Sequence, residues 1–139
     1  MTGSGVKVGV MSDSTDHIAT SQASGDLGTV TILAGQSGVP ASGEGTAMLE
    51  IVHDVAPGAE LFFATGFGGV ASFAQNIRNL RFQSHCDIII DDVGYFSESP
   101  FQDGIIAQAV NDVTADGALF FSSASNAGNQ SDNQSGTWE

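Results

Sequence analysis

Five short apolar runs, spaced along the chain, constrain its fold more than any other feature. They are Gly5–Ser12, Thr29–Ala34, Glu60–Thr65, Asp87–Val93 and Ala118–Ser123. Each run is rich in β-branched or aromatic residues and is bounded by glycine or polar residues, which predicts a β-strand. Several runs show no polar alternation, which is typical of strands that are buried on both faces of a sheet.

Three of the segments between these runs have the length and apolar spacing of helices. They are Glu44–Val55, Val70–Gln83 and Gly104–Ala115. The alternation of strands and helices predicts an α/β fold: a doubly wound, three-layer sandwich around a mainly parallel sheet. We expect one domain over residues 1–139, incomplete as a fold, with a loop-like segment over residues 127–139.

Polar residues follow the predicted strands at the points where ligands bind in open parallel sheets. Asp13 closes the first strand, Glu44 opens the helix after the second, and Asp91 and Asp92 end the fourth. Asn126 follows the fifth strand. We expect these side chains to converge on the carboxyl edge of the sheet.

Each of these residues also has a purely structural interpretation. Asp13 is suited to an Asx-turn, and Asn126 to a loop that needs turn geometry. Glu44 would complement the dipole of its own helix. The helix also places Glu44 on one stripe with Ala47, Met48, Ile51 and Val55, so we expect its carboxylate at the end of the face that packs inward.

The charge balance excludes some classes of partner. Lys and Arg total 3 against 16 Asp and Glu, which gives a formal net charge of -13. Such a chain repels a nucleic-acid backbone and anionic membrane surfaces, so we expect neither partner. The single Cys86 cannot form an internal disulfide and is predicted to be a small buried side chain.

Four segments, in order, resemble motifs of one enzyme superfamily. They are Val6–Ser14 (VKVGVMSDS), Gly45–Leu61 (GTAMLEIVHDVAPGAEL), Asp87–Phe96 (DIIIDDVGYF) and Phe120–Asn126 (FFSSASN). Together they resemble the subtilase superfamily of serine peptidases, which includes the subtilisin-like peptidases and the sedolisins. The resemblance covers residues 5–129, and the Ala-Pro-Gly-Ala turn at residues 56–59 is its most specific part.

The resemblance implies roles for particular residues. Asp13 would be the aspartate of the catalytic triad and Asn126 the donor to the oxyanion. Gly94, Tyr95 and Phe96 would form an extended edge that binds the substrate backbone. Glu44 stands where subtilisins have their general-base histidine.

The chain matches neither branch of the superfamily completely. Sedolisins use a glutamate in this helix, but they place an aspartate one turn later, where this chain has Met48. They also use aspartate, not asparagine, at the oxyanion position. The sequence thus combines Asp13 and Asn126 of the subtilisin pattern with a glutamate typical of sedolisins.

These observations predict a serine peptidase whose nucleophilic serine lies beyond this chain, which alone is expected to be inactive. Glu44 would act as base, and a nearby Asp13 would compete with it, raise one pKa and favour catalysis in acid. The resemblance implies a peptide or protein substrate, no cofactor for catalysis and a secreted or extracellular location. It leaves structural calcium and oligomeric state open.

The sequence also allows two alternative functions from other classes. The chain could be a catalytically inactive subtilase-like domain that binds peptides or has a structural role. Asp13, Asp91 and Asp92 could instead bind Mg²⁺ or accept phosphate, because hard oxygen ligands suit that ion. Among the histidines, His17 is assigned to a polar loop without a function, and His85 to the opposite edge of the sheet.

Overall fold

A computed structural model describes residues 2–124 of the chain. The strands are β1 (Lys7–Ser12), β2 (Val30–Ile32), β3 (Glu60–Thr65), β4 (Ile88–Asp91) and β5 (Leu119–Ser122). The helices are α1 (Ile18–Ser24), α2 (Glu44–Val55), α3 (Val70–Phe82) and α4 (Ile105–Ala115). Within this part of the chain, no helix is long and apolar enough to cross a membrane.

All five strands are parallel, in the order β2-β3-β1-β4-β5, with helices on both faces of the sheet. The predicted α/β sandwich is therefore confirmed, and each predicted strand and helix is present with ends shifted by at most a few residues. The sequence-based assignment missed α1. His17 lies in the polar loop as predicted, in a turn directly before that helix, and is its N-cap residue with φ 65°. α1 buries only Ser21, so it has no apolar stripe to reveal it.

The side chains of β1 alternate between two separate cores. Val8 and Val10 pack with Leu49 of α2 on one face, which α1 and α2 cover. Met11 packs on the other face with α3 and α4, where Cys86 is fully buried as predicted. Burial raises the pKa of the Cys86 thiol to about 12, so this cysteine behaves as a small apolar side chain.

The connection through α2 has the opposite hand to the other three connections. The chain moves toward the β2 edge through α1, but toward the β5 edge through α2, α3 and α4. α2 nevertheless lies on the same face as α1, whereas α3 and α4 lie on the other. Since about 98% of such crossovers are right-handed, the connection through α2 is the left-handed one.

An apolar groove is open between α2 and the β4–β5 part of the sheet, because no helix among residues 2–124 covers those two strands on this face. The groove has a volume of about 320 Å³ and is lined by Val8, Ile51, Val52, Val55, Ala56, Ile88, Ile90 and Phe121. The expectation that the stripe from Glu44 to Val55 packs inward is wrong. Ile51 is 64% and Val55 77% exposed, and Gly45, Thr46 and Leu49 form the buried side of α2 instead.

Candidate functional site

Asp13 lies directly after β1, 2% exposed, beneath the start of α2. Its Oδ2 accepts hydrogen bonds from the Ser42 amide at 2.9 Å, the Ser42 hydroxyl at 3.0 Å and the Gly43 amide at 3.0 Å. Its Oδ1 accepts from the Gly45 amide at 2.9 Å and from the Ser14 amide. Both carboxylate oxygens are thus fully engaged, and we refer to Asp13 with these donors as the Asp13 cradle.

The cradle depends on glycine at the start of α2. Gly43 is the N-cap residue with φ 75°, a backbone conformation that favours glycine. A Cβ at Gly45 would overlap the Ser14 carbonyl oxygen and would lie 2.6 Å from the Phe63 ring. The helix can therefore approach β1 closely enough for the Gly45 amide to reach Asp13.

The electrostatics of the cradle favour an ionised Asp13. Burial acts to raise the pKa of this carboxyl, but the hydrogen bonds from Gly45, Ser14 and Ser42 outweigh burial and lower the pKa to about 2. The positive end of the α2 dipole acts in the same direction. Asp13 therefore caps the N-terminus of α2, although it lies directly after β1 and is distant from α2 in sequence.

Glu44 begins α2 and faces a different partner. Glu44 opens α2 on the face of the sheet toward which Asp92 points, and the pKa of Glu44 is raised. The negative charge of Asp92 is the largest cause. Partial desolvation comes next, then the tendency of protonated Glu44 to donate a hydrogen bond to Asp92, and the charge of Asp13 contributes least. The raised pKa that the sequence predicted is present, but its principal cause is Asp92 and not Asp13.

Asp92 reaches this position through the register of two neighbouring strands. Met11 of β1 pairs with Asp91 of β4, so Ser12 and Asp92 lie level and point toward the α2 face. The Ser12 hydroxyl donates a 2.9 Å hydrogen bond to Oδ2 of Asp92. Oδ1 of Asp92 is buried and has no hydrogen-bond partner among residues 2–124.

The adjacent Asp91 points to the opposite face of the sheet. Its Oδ1 accepts hydrogen bonds from the Val93 amide and the Ser122 hydroxyl, both at 3.0 Å. Burial raises the pKa of this carboxyl to about 6, against the effect of these hydrogen bonds. In the part of the chain that the structure describes, no three His, Cys, Asp or Glu side chains are grouped as a metal site requires.

The three residues predicted to bind substrate lie in a loop after β4 and differ in exposure. Gly94 is exposed, and a Cβ there would meet open space. Phe96 is fully exposed. Tyr95 is partly buried: its hydroxyl donates to the Gly66 carbonyl, and its ring lies 5.4 Å from the Phe73 ring. Tyr95 thus anchors the loop, while Gly94 and Phe96 remain accessible.

Asn126 and His17 are the remaining residues of interest. Asn126, the predicted oxyanion donor, and the segment over residues 127–139 lie outside the described residues. His17, which sequence reasoning set aside, lies at the start of α2, where a Cβ at Gly43 would be 3.2 Å from its ring. No local sequence signal indicates this contact, because it depends on how α1 packs beside α2.

The arrangement can bind and release a proton at the carboxyl edge of the sheet. It combines an anchored, ionised Asp13 with a Glu44 carboxyl that retains its proton to higher pH than an isolated glutamate. No protein-family model and no curated protein matches the chain.

Proposed function

We propose that this chain supplies the acid–base part of a serine peptidase of the subtilase type, with Glu44 as the general base. The observation that carries the proposal is the Glu44 carboxyl, whose pKa is raised at the edge of the sheet where parallel α/β folds bind ligands. An isolated carboxylate with a pKa of about 4.3 is a weak base at neutral pH. The raised pKa moves Glu44 toward the range in which a general base is effective.

The proposed reaction uses a serine contributed by polypeptide beyond this chain. Its hydroxyl would attack the peptide carbonyl while Glu44 takes its proton, and Glu44 would then return the proton to the leaving amine. Asn126 would donate a hydrogen bond to the oxyanion. The exposed backbone at Gly94 would pair with the extended substrate.

The open groove beside α2 supports the same proposal. Sheets of this kind normally have helices over both faces, whereas Phe121 is 55% and Leu119 56% exposed here. A helix that follows a parallel strand begins at the carboxyl edge of the sheet, which is where Glu44 lies. A serine at the start of a helix in the groove would therefore be next to Glu44.

The contacts of residues 44–46 also support the proposal. The Gly45 amide bonds to Asp13, and the Thr46 hydroxyl donates a 2.7 Å hydrogen bond to the Asp16 carbonyl. Gly45 and Thr46 thus fix the start of α2 on the loop after β1, and Glu44 is left to face the open site.

The test is peptide hydrolysis by the full-length protein that contains this chain, between about pH 3 and 8, which brackets the ordinary carboxyl and histidine pKa values. We expect Glu44→Gln to lower kcat about 100-fold or more, because general-base catalysis contributes factors of this size. Glu50→Gln, a matched change on the same helix, should leave turnover unaltered. Turnover that survives Glu44→Gln would eliminate Glu44 as the base.

The wild-type result separates this proposal from the alternative of an inactive peptide-binding domain. Such a domain would keep the same carboxyl edge and the exposed Phe96, but it would hydrolyse no peptide at any pH. Peptide binding without turnover would therefore favour the inactive domain.

A further inference from the structure

We propose that Asp92 is the positioning residue for Glu44: its carboxylate, held by Ser12, accepts the hydrogen bond that Glu44 donates whenever Glu44 carries a proton. The catalytic consequence of this pairing rests on the proposed function. The pairing itself is a property of the folded chain and can be tested without any turnover. We call Glu44 and Asp92 the carboxyl pair.

The side chain of Asp92 is fixed before Glu44 is considered. Ser12 is fully buried, and its hydroxyl donates to Oδ2 of Asp92 at 2.9 Å. The parallel pairing of Met11 with Asp91 sets these two residues level on neighbouring strands. One oxygen of Asp92 is therefore held by a rigid part of the sheet, and this orients the other oxygen.

That other oxygen lacks a partner. Oδ1 of Asp92 is the one buried side-chain oxygen or nitrogen within residues 2–124 that has no hydrogen bond. An unsatisfied buried acceptor is destabilising because it loses its hydrogen bonds with water, so native structures rarely leave one. Glu44 lies between Gly43 and Gly45, whose amides bond to Asp13 next to Ser12, so it opens α2 on the face toward which Asp92 points; a protonated Glu44 would supply the missing donor.

The other charged groups among residues 2–124 donate no hydrogen bond to Oδ1 of Asp92. Asp13, at the end of β1, adds negative charge and has both oxygens engaged in its cradle. The three basic residues of the chain form ion pairs elsewhere: Lys7 with Glu60, Arg78 with Asp112, and Arg81 with Asp116 and, at 3.9 Å, with Asp87. His17 is the nearby ionisable base, and it is exposed beside Gly43. A proton on Glu44 is therefore the direct way to satisfy Asp92.

The pairing defines where the proton goes in the proposed reaction. As the serine O–H bond breaks, a Glu44 O–H bond forms, and that hydrogen is donated to Oδ1 of Asp92. When the peptide C–N bond breaks, Glu44 gives the proton to the leaving amine and is again ionised. Asp92 acts only as the acceptor of this hydrogen bond, so it stabilises the protonated form of Glu44 without exchanging a proton itself.

The experiment is a carboxyl ¹³C NMR titration of the protein with labelled glutamate. The chain contains five glutamates, so the Glu44 resonance can be assigned from its loss in Glu44→Gln. In Asp92→Asn the amide would donate to ionised Glu44 and remove the like charge, so the Glu44 midpoint should fall toward the usual glutamate range. Asp54→Asn removes the same charge from the exposed end of α2 and should leave the midpoint unchanged.

Ser12→Ala provides a second, independent variant. It frees Asp92 to rotate, so it should lower the Glu44 midpoint by less than Asp92→Asn does, and it keeps the test available if Asp92→Asn does not fold. A Glu44 midpoint that neither variant moves would overturn the pairing. A shifted Glu44 midpoint with no hydrolysis by the full-length protein would support the pairing and contradict the proposed function. An unshifted midpoint in a protein that hydrolyses peptides through Glu44 would contradict the pairing and support the proposed function.

Discussion

The Asp13 cradle and the carboxyl pair lie at the same edge of the sheet, yet they treat a carboxylate in opposite ways. Asp13 is buried and receives five hydrogen bonds, and its pKa falls to about 2. Glu44 is more exposed, but it faces Asp92 and has a raised pKa. Hydrogen-bond donors around Asp13 and a like charge beside Glu44, more than burial, therefore decide which of the two carboxyls holds a proton.

The two environments also have different roles in the site. An ionised Asp13 holds the start of α2 in place, and that placement brings Glu44 to Asp92. The cradle therefore contributes to stability, whereas the pair contributes to proton transfer. Substitutions that remove one environment and preserve the other should separate these roles.

The largest effect is expected from Gly45→Ala. The added Cβ would overlap the Ser14 carbonyl oxygen and press on Phe63, and it would displace the amide that binds Asp13. We expect the free energy of unfolding to fall by about 3 kcal/mol in urea denaturation, a typical cost of overpacking. Gly94→Ala, where the new Cβ meets open space, is the matched control. Equal stability of the two variants would show that α2 does not need this close approach.

Asp13→Asn should have the next largest effect. The amide would place a donor against backbone donors and remove the charge that the cradle stabilises, so we expect the free energy of unfolding to fall by about 2 kcal/mol. Asp16→Asn, in the same loop with a partly exposed side chain, should change stability little.

The pH dependence of the free energy of unfolding provides a second test of the Asp13 cradle. Because folding lowers the pKa of Asp13 from 3.8 to about 2, its contribution is fully present above pH 3.8 and is lost as the pH falls through 2. The shift corresponds to about 2 kcal/mol. Wild type should therefore lose stability over this interval more steeply than Asp13→Asn, and parallel curves would contradict the cradle.

Glu44→Gln should have the smallest effect on stability, with the opposite sign. A raised pKa in the folded protein means that stability decreases as the pH rises through the Glu44 titration. Removing the charge should leave the protein as stable as wild type or slightly more stable at neutral pH, within about 0.5 kcal/mol because Glu44 is exposed. A clear loss of stability in calorimetry would mean that Glu44 has a structural role that the pair does not explain.

Much of the fold could be predicted from the sequence, because apolar runs and helical stripes directly reflect burial. β3 and α2 have the predicted ends, and Asp13 and Glu44 lie at the predicted edge. The alternation of a strand also implies that Asp91 and Asp92 point to opposite faces. The sequence alone cannot say which of them shares a face with Glu44.

That choice depends on the hand of the α2 crossover. A right-handed connection would place α2 on the face of α3 and α4, beside Asp91, whereas the left-handed connection places it beside Asp92. Ile51 and Val55 of the predicted stripe are exposed because they line the open groove, whereas Met48 packs against the core. The prediction of an inward stripe assumed a helix whose apolar face is covered by the neighbouring strands.

The most direct test of the central claim compares kcat/KM for peptide hydrolysis by the full-length protein and its Glu44→Gln variant across the acid-to-neutral range. Our account predicts an acid limb in the wild-type profile that reports the Glu44 titration, and the loss of both the limb and most of the activity in the variant. An active variant that retains the same acid limb would contradict the assignment of Glu44 as the base.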